Sequence, residues 1–351
     1  MKRAHHRGEV DLFVRPGRHA RLRAMATGWL APVAAALLVV GGVGAWGIVS
    51  ARDQSAVPAS GSSTAPSKLL LLELRSRDAV MIAVVGSSGT PAPAALAIPP
   101  NVVMTIPGQG DGLVKEVTSV NGSETAVAIS NLVGAWIPHY AVMDPSHLAA
   151  VVDRVGGIQL FGSEASSAEV AAGLVEPGPA RALTWRETLI GLFQAGPRWA
   201  PGDFLRSDDA AAGARLLTAT KGATLQALPT AYVTPGYLRP DYPAVAALME
   251  DRFGMAGQPP VRVLVLNGTG APGVGESVAE RLIPEGYRVV VSENASRFDH
   301  RETLVVAASE ESREAAEQIR RLLGVGALSV SAVPSGLGEV TILVGEDYTN
   351  G

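Results

Sequence analysis

Apolar runs and helical patterns alternate along this chain. Residues 69–74 (LLLLEL) and 79–85 (AVMIAVV) are nearly uninterrupted apolar runs of strand length, which is typical of strands covered on both faces. A third strand is predicted at 94–98. Helical spacing of apolar residues follows in three segments: 123–133, 145–155 and 208–225. This alternation predicts an α/β domain over residues 68–230, with helices packed on both faces of a sheet.

A second, smaller domain is predicted over residues 261–348. Its apolar pattern gives the order βαββαββ, close to a split βαβ sandwich. The strands are predicted at 261–266, 287–291, 303–307, 328–333 and 340–344. Between the two domains, residues 231–260 contain five prolines, and only 244–253 has a helical pattern. These residues are therefore predicted to be a Pro-rich linker.

The longest apolar segment lies near the N-terminus. Residues 29–49 contain no charge over 21 positions, enough for a helix that crosses a bilayer. A basic tail, residues 1–27, precedes a predicted transmembrane helix at 28–50, and a flexible Ser/Ala/Pro-rich linker, 51–67, follows it. The positive-inside rule places the N-terminus in the cytoplasm and the later domains outside. The alternative, a cleavable signal peptide, normally has an apolar run of only about 7–15 residues.

Composition excludes several classes of chemistry. The chain has no cysteine, so it has no disulfide framework, thiolate metal site or cysteine nucleophile. Its formal net charge is −4, which excludes a globally basic nucleic-acid binder. The histidines show no metal-ligand spacing. The carboxylate pairs Asp208-Asp209 and Glu310-Glu311 are predicted to lie in first helical turns, where the helix dipole favours acids.

A glycine motif follows the first strand of the smaller domain. Residues 268–273 (GTGAPG) fit the G-x-G-x-x-G fingerprint, and Glu293 lies 20 residues beyond Gly273. However, the strands at 287–291 and 303–307 are joined by a loop, whereas a dinucleotide-binding sheet needs a crossover helix there. We therefore predict a tight turn and no bound nucleotide cofactor.

Residues 261–348 resemble the LytR C-terminal domain. The resemblance rests on three stretches: 263–270 (VLVLNGTG), 286–289 (GYRV) and 340–347 (VTILVGED). Such a domain commonly follows a LytR-CpsA-Psr (LCP) domain, and it implies binding to the cell wall, not catalysis.

The first domain resembles a degenerate LCP domain over roughly residues 69–225. The resemblance is carried by 132–144 (LVGAWIPHYAVMD), 147–160 (HLAAVVDRVGGIQL) and 202–206 (GDFLR). LCP enzymes transfer glycopolymers from a polyprenyl pyrophosphate carrier to peptidoglycan. Such chemistry needs arginines, and usually Mg²⁺ held by aspartates, to neutralise the pyrophosphate.

The charged residues of that family are largely replaced here. The family's S-I-P-R-D segment appears as residues 97–101 (AIPPN), with Pro100 and Asn101 in place of the arginine and the acid. Phe193 stands where another arginine is expected, and Asp209 replaces a third. No catalytic residue is therefore assigned with certainty. The remaining candidates are Arg206, Asp78, Arg77 and Arg198, and Asp78 is the candidate metal ligand.

Two functions follow from the resemblance. The first is a membrane-anchored, wall-facing pseudoenzyme that binds a polyprenyl-linked glycan, peptidoglycan or envelope proteins and assists glycopolymer attachment. The alternative is an active glycopolymer transferase, and only this alternative implies Mg²⁺. A transcriptional regulator is disfavoured because no DNA-binding helix is recognisable and most of the chain is expected outside the membrane.

Overall fold

The computed structural model describes residues 69–76, 79–86, 93–117, 122–176, 178–234, 236–255, 260–331 and 336–349. All of them belong to one compact unit of residues 56–351. The predicted transmembrane helix 28–50 and the candidate residues Arg77 and Asp78 lie outside the described residues. Within these ranges, no helix combines the length and the apolar character that crossing a bilayer requires.

The first domain is an α/β/α layer structure. Its strands are β1 (Leu69–Ser76), β2 (Ala79–Gly86), β3 (Ala94–Ile98), β4 (Val103–Ile106), β5 (Gly110–Leu113), β6 (His139–Met143), β7 (Ile158–Leu160), β8 (Ser163–Ala165), β9 (Arg206–Ser207) and β10 (Thr224–Ala227). Its helices are α1 (Val114–Val117), α2 (Gly122–Val133), α3 (Pro145–Arg154), α4 (Ser167–Val175), α5 (Pro179–Ala195) and α6 (Ala210–Thr218). Six strands form the central sheet, in the order β10-β3-β2-β1-β6-β9. The α/β prediction for this region is confirmed.

Both faces of this sheet are buried, as the continuous apolar runs predict. Leu70, Leu72 and Leu74 of β1 pack on the side of α3 to α6, together with Trp185 and Phe193 of α5. On the opposite side, alternate residues of β1 to β3 pack against α2. Successive side chains of a strand point to opposite faces, so a doubly covered strand must be apolar throughout.

The segment predicted as a Pro-rich linker is folded, and that prediction is wrong for most of it. Residues Thr230–Thr234 (β11) and Tyr237–Pro240 (β12) form a hairpin, and Tyr242–Phe253 forms helix α7. Val245, Met249 and Phe253 of α7 are buried in the core on the α2 side of the sheet. Proline does not prevent this fold because Pro240 ends a strand and Pro243 lies in the first helical turn.

A second correction concerns the helix predicted over 208–225. Helix α6 ends at Thr218, and Thr224–Ala227 forms strand β10. β10 pairs in parallel with β3 and becomes an edge of the central sheet. The apolar residues of Thr224–Ala227 are compatible with a helix or a strand, and these residues form a strand because they pair with β3.

The C-terminal domain has the predicted order βαββαββ. Its elements are β13 (Arg262–Asn267), α8 (Val274–Leu282), β14 (Arg288–Asn294), β15 (Leu304–Ala307), α9 (Arg313–Leu323), β16 (Ala327–Val330), β17 (Val340–Val344) and a final turn of helix, α10 (Glu346–Thr349). The five strands form one sheet in the order β14-β13-β17-β15-β16. α8 and α9 bury Val278, Leu282 and Ile319 against it, as their helical periodicity predicts.

Candidate functional site

The sheet of the first domain brings Glu73 and Arg206 into one row. Glu73 of β1 is opposite Val142 of β6, and Val142 is opposite Arg206 of β9. Directly opposed residues project from the same face of a sheet, and adjacent strands are about 4.8 Å apart. The backbones of Glu73 and Arg206 are therefore about 10 Å apart, on the face covered by α2.

Glu73 and Arg75 form a charged pair that the sequence analysis missed. Glu73 is fully buried, and Arg75 Nε donates to Glu73 Oε1 at 2.7 Å. The side chain of Thr125, in α2, also hydrogen-bonds Glu73. Burial raises the pKa of Glu73, and Arg75 and Thr125 act against that rise. The only sign of this pair in the sequence was the single acid, Glu73, inside the apolar run 69–74.

One oxygen of this carboxylate is unsatisfied. Glu73 Oε2 is buried and has no hydrogen-bond partner among the described residues, while Nη2 of Arg75 forms an ion pair with the other oxygen, Oε1, at 2.6 Å. A buried unsatisfied oxygen costs about 1–3 kcal/mol, so its retention calls for an explanation. In the sequence, Glu73 precedes Arg77 and Asp78, the predicted candidates outside the described residues, by four and five positions.

Arg206 and Arg198 are both solvent-exposed. Arg206 has no carboxylate partner among the described residues. Asp203, the neighbour that a surface salt bridge to Arg206 would use, instead binds Arg154, with 2.5 and 3.2 Å between their charged atoms. Arg154 also donates to the Arg198 carbonyl at 3.0 Å. Arg206 is therefore the described candidate whose charge is available to an anion in this row.

The residues that replace the family's charged groups have structural roles. Phe193 is 2% exposed and packs in the core beside Trp185. Asn101 Nδ2 donates to the Gly236 carbonyl at 3.0 Å and so holds the β11–β12 hairpin. Asp209 caps α6 by accepting a hydrogen bond from Ala212 N at 2.9 Å.

Asp208 departs from its predicted position. It lies before the N-cap of α6, outside the first turn of the helix. Its two oxygens accept hydrogen bonds at 2.8 Å from His139 Nδ1 and from Tyr140 N. Partial burial acts to raise the pKa of Asp208, but the bonds from β6 outweigh it and lower the pKa. Asp208 thus joins α6 to β6, while Asp209 carries the capping role.

The described residues alone do not fit a Mg²⁺ ion. No group of three or more His, Asp or Glu side chains that could hold a metal occurs among them. Glu73, the acid closest in sequence to the predicted ligand Asp78, already faces the guanidinium of Arg75 at 2.6 Å. A guanidinium in that place neutralises the carboxylate that a cation would need.

No lipid-sized cavity is found among the best-formed pockets of the described residues. One cleft, of about 210 Å³, lies beside Gly157, Gln159 and Gly191. The other, near 10 Å³, lies between Glu124 of the first domain and Glu276 of the second. Pockets for small molecules usually measure about 300–1,000 Å³. The larger cleft is lined in part by Ile158 of the apolar layer on the α5 side, and the smaller by Ile106 and Val117 of the layer on the α2 side.

The glycine motif of the C-terminal domain forms a closed turn. Asn267 Oδ1 accepts hydrogen bonds from Thr269 N at 3.0 Å and from Gly270 N at 3.1 Å. Gly270 and Gly273 have φ of +73° and +80°, which favours glycine, and a Cβ on Gly268 would lie 2.6 Å from the Val344 carbonyl oxygen. Two amides of the glycine turn, those of Thr269 and Gly270, are therefore bound to Asn267 and not directed at a phosphate.

Comparison with known families identifies the C-terminal domain. Residues 260–348 match the family model described as "LytR cell envelope-related transcriptional attenuator". The match covers the whole domain, about a quarter of the chain, and confirms the resemblance given above for residues 261–348. No curated protein matches this chain.

Several solved structures are similar to about half of the chain. B. subtilis TagV is 14% identical, with a TM-score of 0.42, and the match covers 54% of this chain and 98% of TagV. A transcriptional regulator from Enterococcus faecalis is 15% identical, with a TM-score of 0.43 and 54% and 88% coverage. The LytR-CPS2A-psr family protein YwtF (TagT), with bound octaprenyl pyrophosphate lipid, is 13% identical, with a TM-score of 0.42 and 54% and 91% coverage.

Proposed function

We propose that this chain is an extracytoplasmic, LCP-like envelope protein that assists cell-wall glycopolymer attachment without efficient catalysis. It is held in the cell membrane by the helix predicted at 28–50, with its N-terminus in the cytoplasm. It binds a polyprenyl-linked glycan, peptidoglycan or partner envelope proteins. The LytR-type C-terminal domain and the sequence resemblance of residues 69–225 to LCP domains support this assignment to the envelope.

The burial of Phe193 carries the proposal. A transferase acting on a pyrophosphate must neutralise the charge of the leaving group with cations. At position 193, where the LCP resemblance implies an arginine, the chain has a phenylalanine packed in the core. The loss of one charge-assisted contact costs about 1.5–3 kcal/mol, and Pro100 and Asp209 remove two more. Together, three such losses lower the rate by about 10³ to 10⁶ if they are roughly additive.

Packing of the sheet faces supports the same conclusion. A prenyl chain needs an apolar groove, but leucines of β1 and aromatic residues of α5 fill the α5 side. On the opposite side, α7 adds Val245, Met249 and Phe253 to the core. The proposal therefore places lipid recognition at the edge of the sheet where Arg206 lies.

One observation favours the alternative, an active transferase with rearranged residues. Glu73 is buried, carries one unsatisfied oxygen and lies in the same row as Arg206. In the sequence, the candidates Arg77 and Asp78 follow β1 directly. Mg²⁺ would then have to be held chiefly by Asp78 and groups outside the described residues.

Octaprenyl pyrophosphate separates the two functions. The purified full chain in detergent is mixed with this lipid, with and without Mg²⁺, and binding and pyrophosphate cleavage are measured. We expect binding without Mg²⁺-dependent cleavage above background. Arg206→Ala should weaken binding by about 1.5–3 kcal/mol if the phosphates contact its guanidinium. Arg215→Ala, an exposed arginine on α6 outside the row, is the matched control and should leave binding unchanged.

Two outcomes of this experiment would contradict the proposal. Robust Mg²⁺-dependent cleavage that is lost in Arg206→Ala or Asp78→Ala, but kept in Arg215→Ala, would contradict the pseudoenzyme and establish the transferase. Equal loss of binding in Arg206→Ala and Arg215→Ala would show a non-specific electrostatic contact and remove Arg206 from the site.

A further inference from the structure

Arg288, at the start of β14, reaches out of the C-terminal domain into the first domain. It is 8% exposed, and its Nε donates to the Asn131 carbonyl at 3.2 Å. Its Nη2 donates to the Leu132 carbonyl at 3.4 Å. The guanidinium carbon also lies 4.4 Å from the ring centroid of Tyr242, in α7. Three segments far apart in the sequence therefore meet at this side chain.

The two acceptor carbonyls lie in the last turn of helix α2, which ends at Val133. Carbonyls of a last turn have no partner within their helix, and the helix dipole places partial negative charge there. Arg288 satisfies two of them and brings a positive charge to that end. Among the described residues, no carboxylate forms an ion pair with Arg288, so its charge is compensated by the helix end and by the face of Tyr242.

A second set of bonds closes the free edge of β14. Asn131 Nδ2 donates to the Val289 carbonyl at 2.8 Å, and Val289 N donates to Asn131 Oδ1 at 2.8 Å. Thr105 Oγ1 donates to the Val290 carbonyl at 3.2 Å, and Gly108 N donates to Ser292 Oγ at 2.7 Å. β14 is an edge strand of its sheet, and exposed edges invite pairing with other chains. The first domain supplies the pairing along this edge.

The two domains also approach each other closely at two glycines, Gly275 and Gly108. A Cβ on Gly275, in α8, would lie 2.9 Å from Gly108 Cα and 3.0 Å from Gly108 N. Val127 of α2 is buried in the apolar cluster of the C-terminal domain. Ten of the 12 residues of α2 are buried, because the helix is covered by its own sheet on one side and by the C-terminal domain on the other.

From these contacts we infer that the C-terminal domain is a docked part of the LCP-like domain, and that Arg288 locks it in place by capping α2 from the other domain. The domain does not act as an independent module at the end of a tether. Any envelope ligand that it holds is therefore held at a fixed position relative to the row of Glu73, Val142 and Arg206. This inference does not rest on whether the chain is a pseudoenzyme or a transferase.

The lock is tested by cutting the chain between the domains. A specific protease sequence is inserted between Gly257 and Gln258 of the full chain, and the purified protein is cleaved in detergent. A docked C-terminal fragment remains bound to the N-terminal part during size-exclusion chromatography, and dilution gives its dissociation constant. We expect Arg288→Met to raise that constant by about 10- to 100-fold, because it leaves two buried carbonyls unsatisfied.

Arg281→Met is the matched control. Arg281 donates to the Leu323 carbonyl at the end of α9 at 3.0 Å and lies 4.8 Å from the Tyr348 ring centroid. It thus makes the same kinds of contact entirely within the C-terminal domain. It should lower the thermal stability of that domain and leave the dissociation constant unchanged within about threefold, whereas Arg288→Met should change both.

Gly275→Ala keeps the test decisive if Arg288→Met does not fold. Alanine favours a helix over glycine by about 1 kcal/mol, but here its Cβ meets Gly108 of the first domain. We expect weaker docking with an unchanged circular dichroism spectrum. Immediate release of the fragment from the unaltered protein would overturn the inference. Equal retention in the unaltered protein and in folded Arg288→Met would overturn the role of Arg288.

Discussion

Phe298 packs on Gly270 at the place where a Cβ would stand. A Cβ built on Gly270 lies 3.0 Å from Phe298 Cγ and 3.3 Å from Phe298 Cβ. The ring is 51% exposed, yet it is held against the turn that follows β13. Two features therefore require glycine at position 270: its φ of +73° and the close contact with Phe298.

Gly270→Val should destabilise the protein by about 1–3 kcal/mol, because a β-branched residue is strained at positive φ and also meets Phe298. Thermal unfolding of the full chain measures the effect. Gly202→Val is the control, since Gly202 has no positive φ and a Cβ there meets nothing within 4 Å. An unchanged melting temperature in Gly270→Val would contradict the constraint assigned to this turn.

The same turn should not bind a dinucleotide. Asn267 Oδ1 already accepts the amide hydrogens of Thr269 and Gly270, so these amides are not directed at a phosphate. We expect no shift in the melting temperature of the full chain on addition of NAD or NADP. A saturable rise of several degrees would contradict the structural interpretation of the glycines.

Phe193→Arg should unfold the first domain or destabilise it severely. Removal of a buried Phe ring costs about 3–5 kcal/mol, and an unpaired buried charge adds to that loss. Leu183→Arg, also on α5 but 51% exposed, is the control and should change stability by no more than about 0.5 kcal/mol. A well-folded Phe193→Arg protein would show that the core at this position can accept the family's arginine.

Asp144 should give the first domain an acid-sensitive stability. It caps α3 by accepting hydrogen bonds from Ser146 N at 2.8 Å and His147 N at 2.9 Å, and His147 Nδ1 lies 2.8 Å from the same oxygen. Partial burial acts to raise the pKa of Asp144, but the hydrogen bond from Ser146 Oγ at 2.5 Å and the bonds from the side chain and backbone of His147 outweigh it and lower the pKa to about 2.

Because the pKa of Asp144 is lower in the folded state, its contribution to stability is present above about pH 4 and is lost as the pH falls towards 2. Asp144→Ala should therefore cost about 0.5–1 kcal/mol at pH 7, and progressively less as the pH falls from 4 through 2, in urea titrations. Asp251→Ala, 72% exposed at the side chain, is the control and should show no such pH-dependent difference. A constant difference between Asp144→Ala and the unaltered protein at every pH would contradict the prediction.

The N-terminal segment should anchor the chain in the membrane. Protease added outside intact protoplasts should digest the chain beyond about Asp53 and leave a protected N-terminal segment, because the 21-residue uncharged run is predicted to cross the bilayer with its basic flank inside. Immunoblotting with an N-terminal tag detects that segment. Release of a soluble chain beginning near Arg52 would establish a cleaved signal peptide instead.

The local sequence pattern alone was sufficient to predict an element when buried positions repeat regularly along it. The runs 69–74 and 79–85 predicted β1 and β2 because strands covered on both faces need apolar residues at every position. The order βαββαββ of the C-terminal domain was likewise readable from alternating periodicities. The replacement of charged residues by Phe193 and Asp209 was also visible in the sequence, although their roles in the core and at the helix cap were not.

Contacts between distant segments decided the rest. Residues 231–260 looked like a linker because prolines interrupt local patterns, and only 244–253 had a helical pattern, which α7 confirms. The hairpin of β11 and β12 and the packing of α7 on the sheet were not predicted. Arg75 is a local partner of Glu73, two residues along β1, but the hydrogen bond from Thr125 of α2 depends on tertiary packing. Arg288 carries no local signal at all, since its acceptors, Asn131 and Leu132, lie more than 150 residues away. A sequence pattern records which residues must be buried, but only tertiary packing determines which helix end a buried arginine will cap.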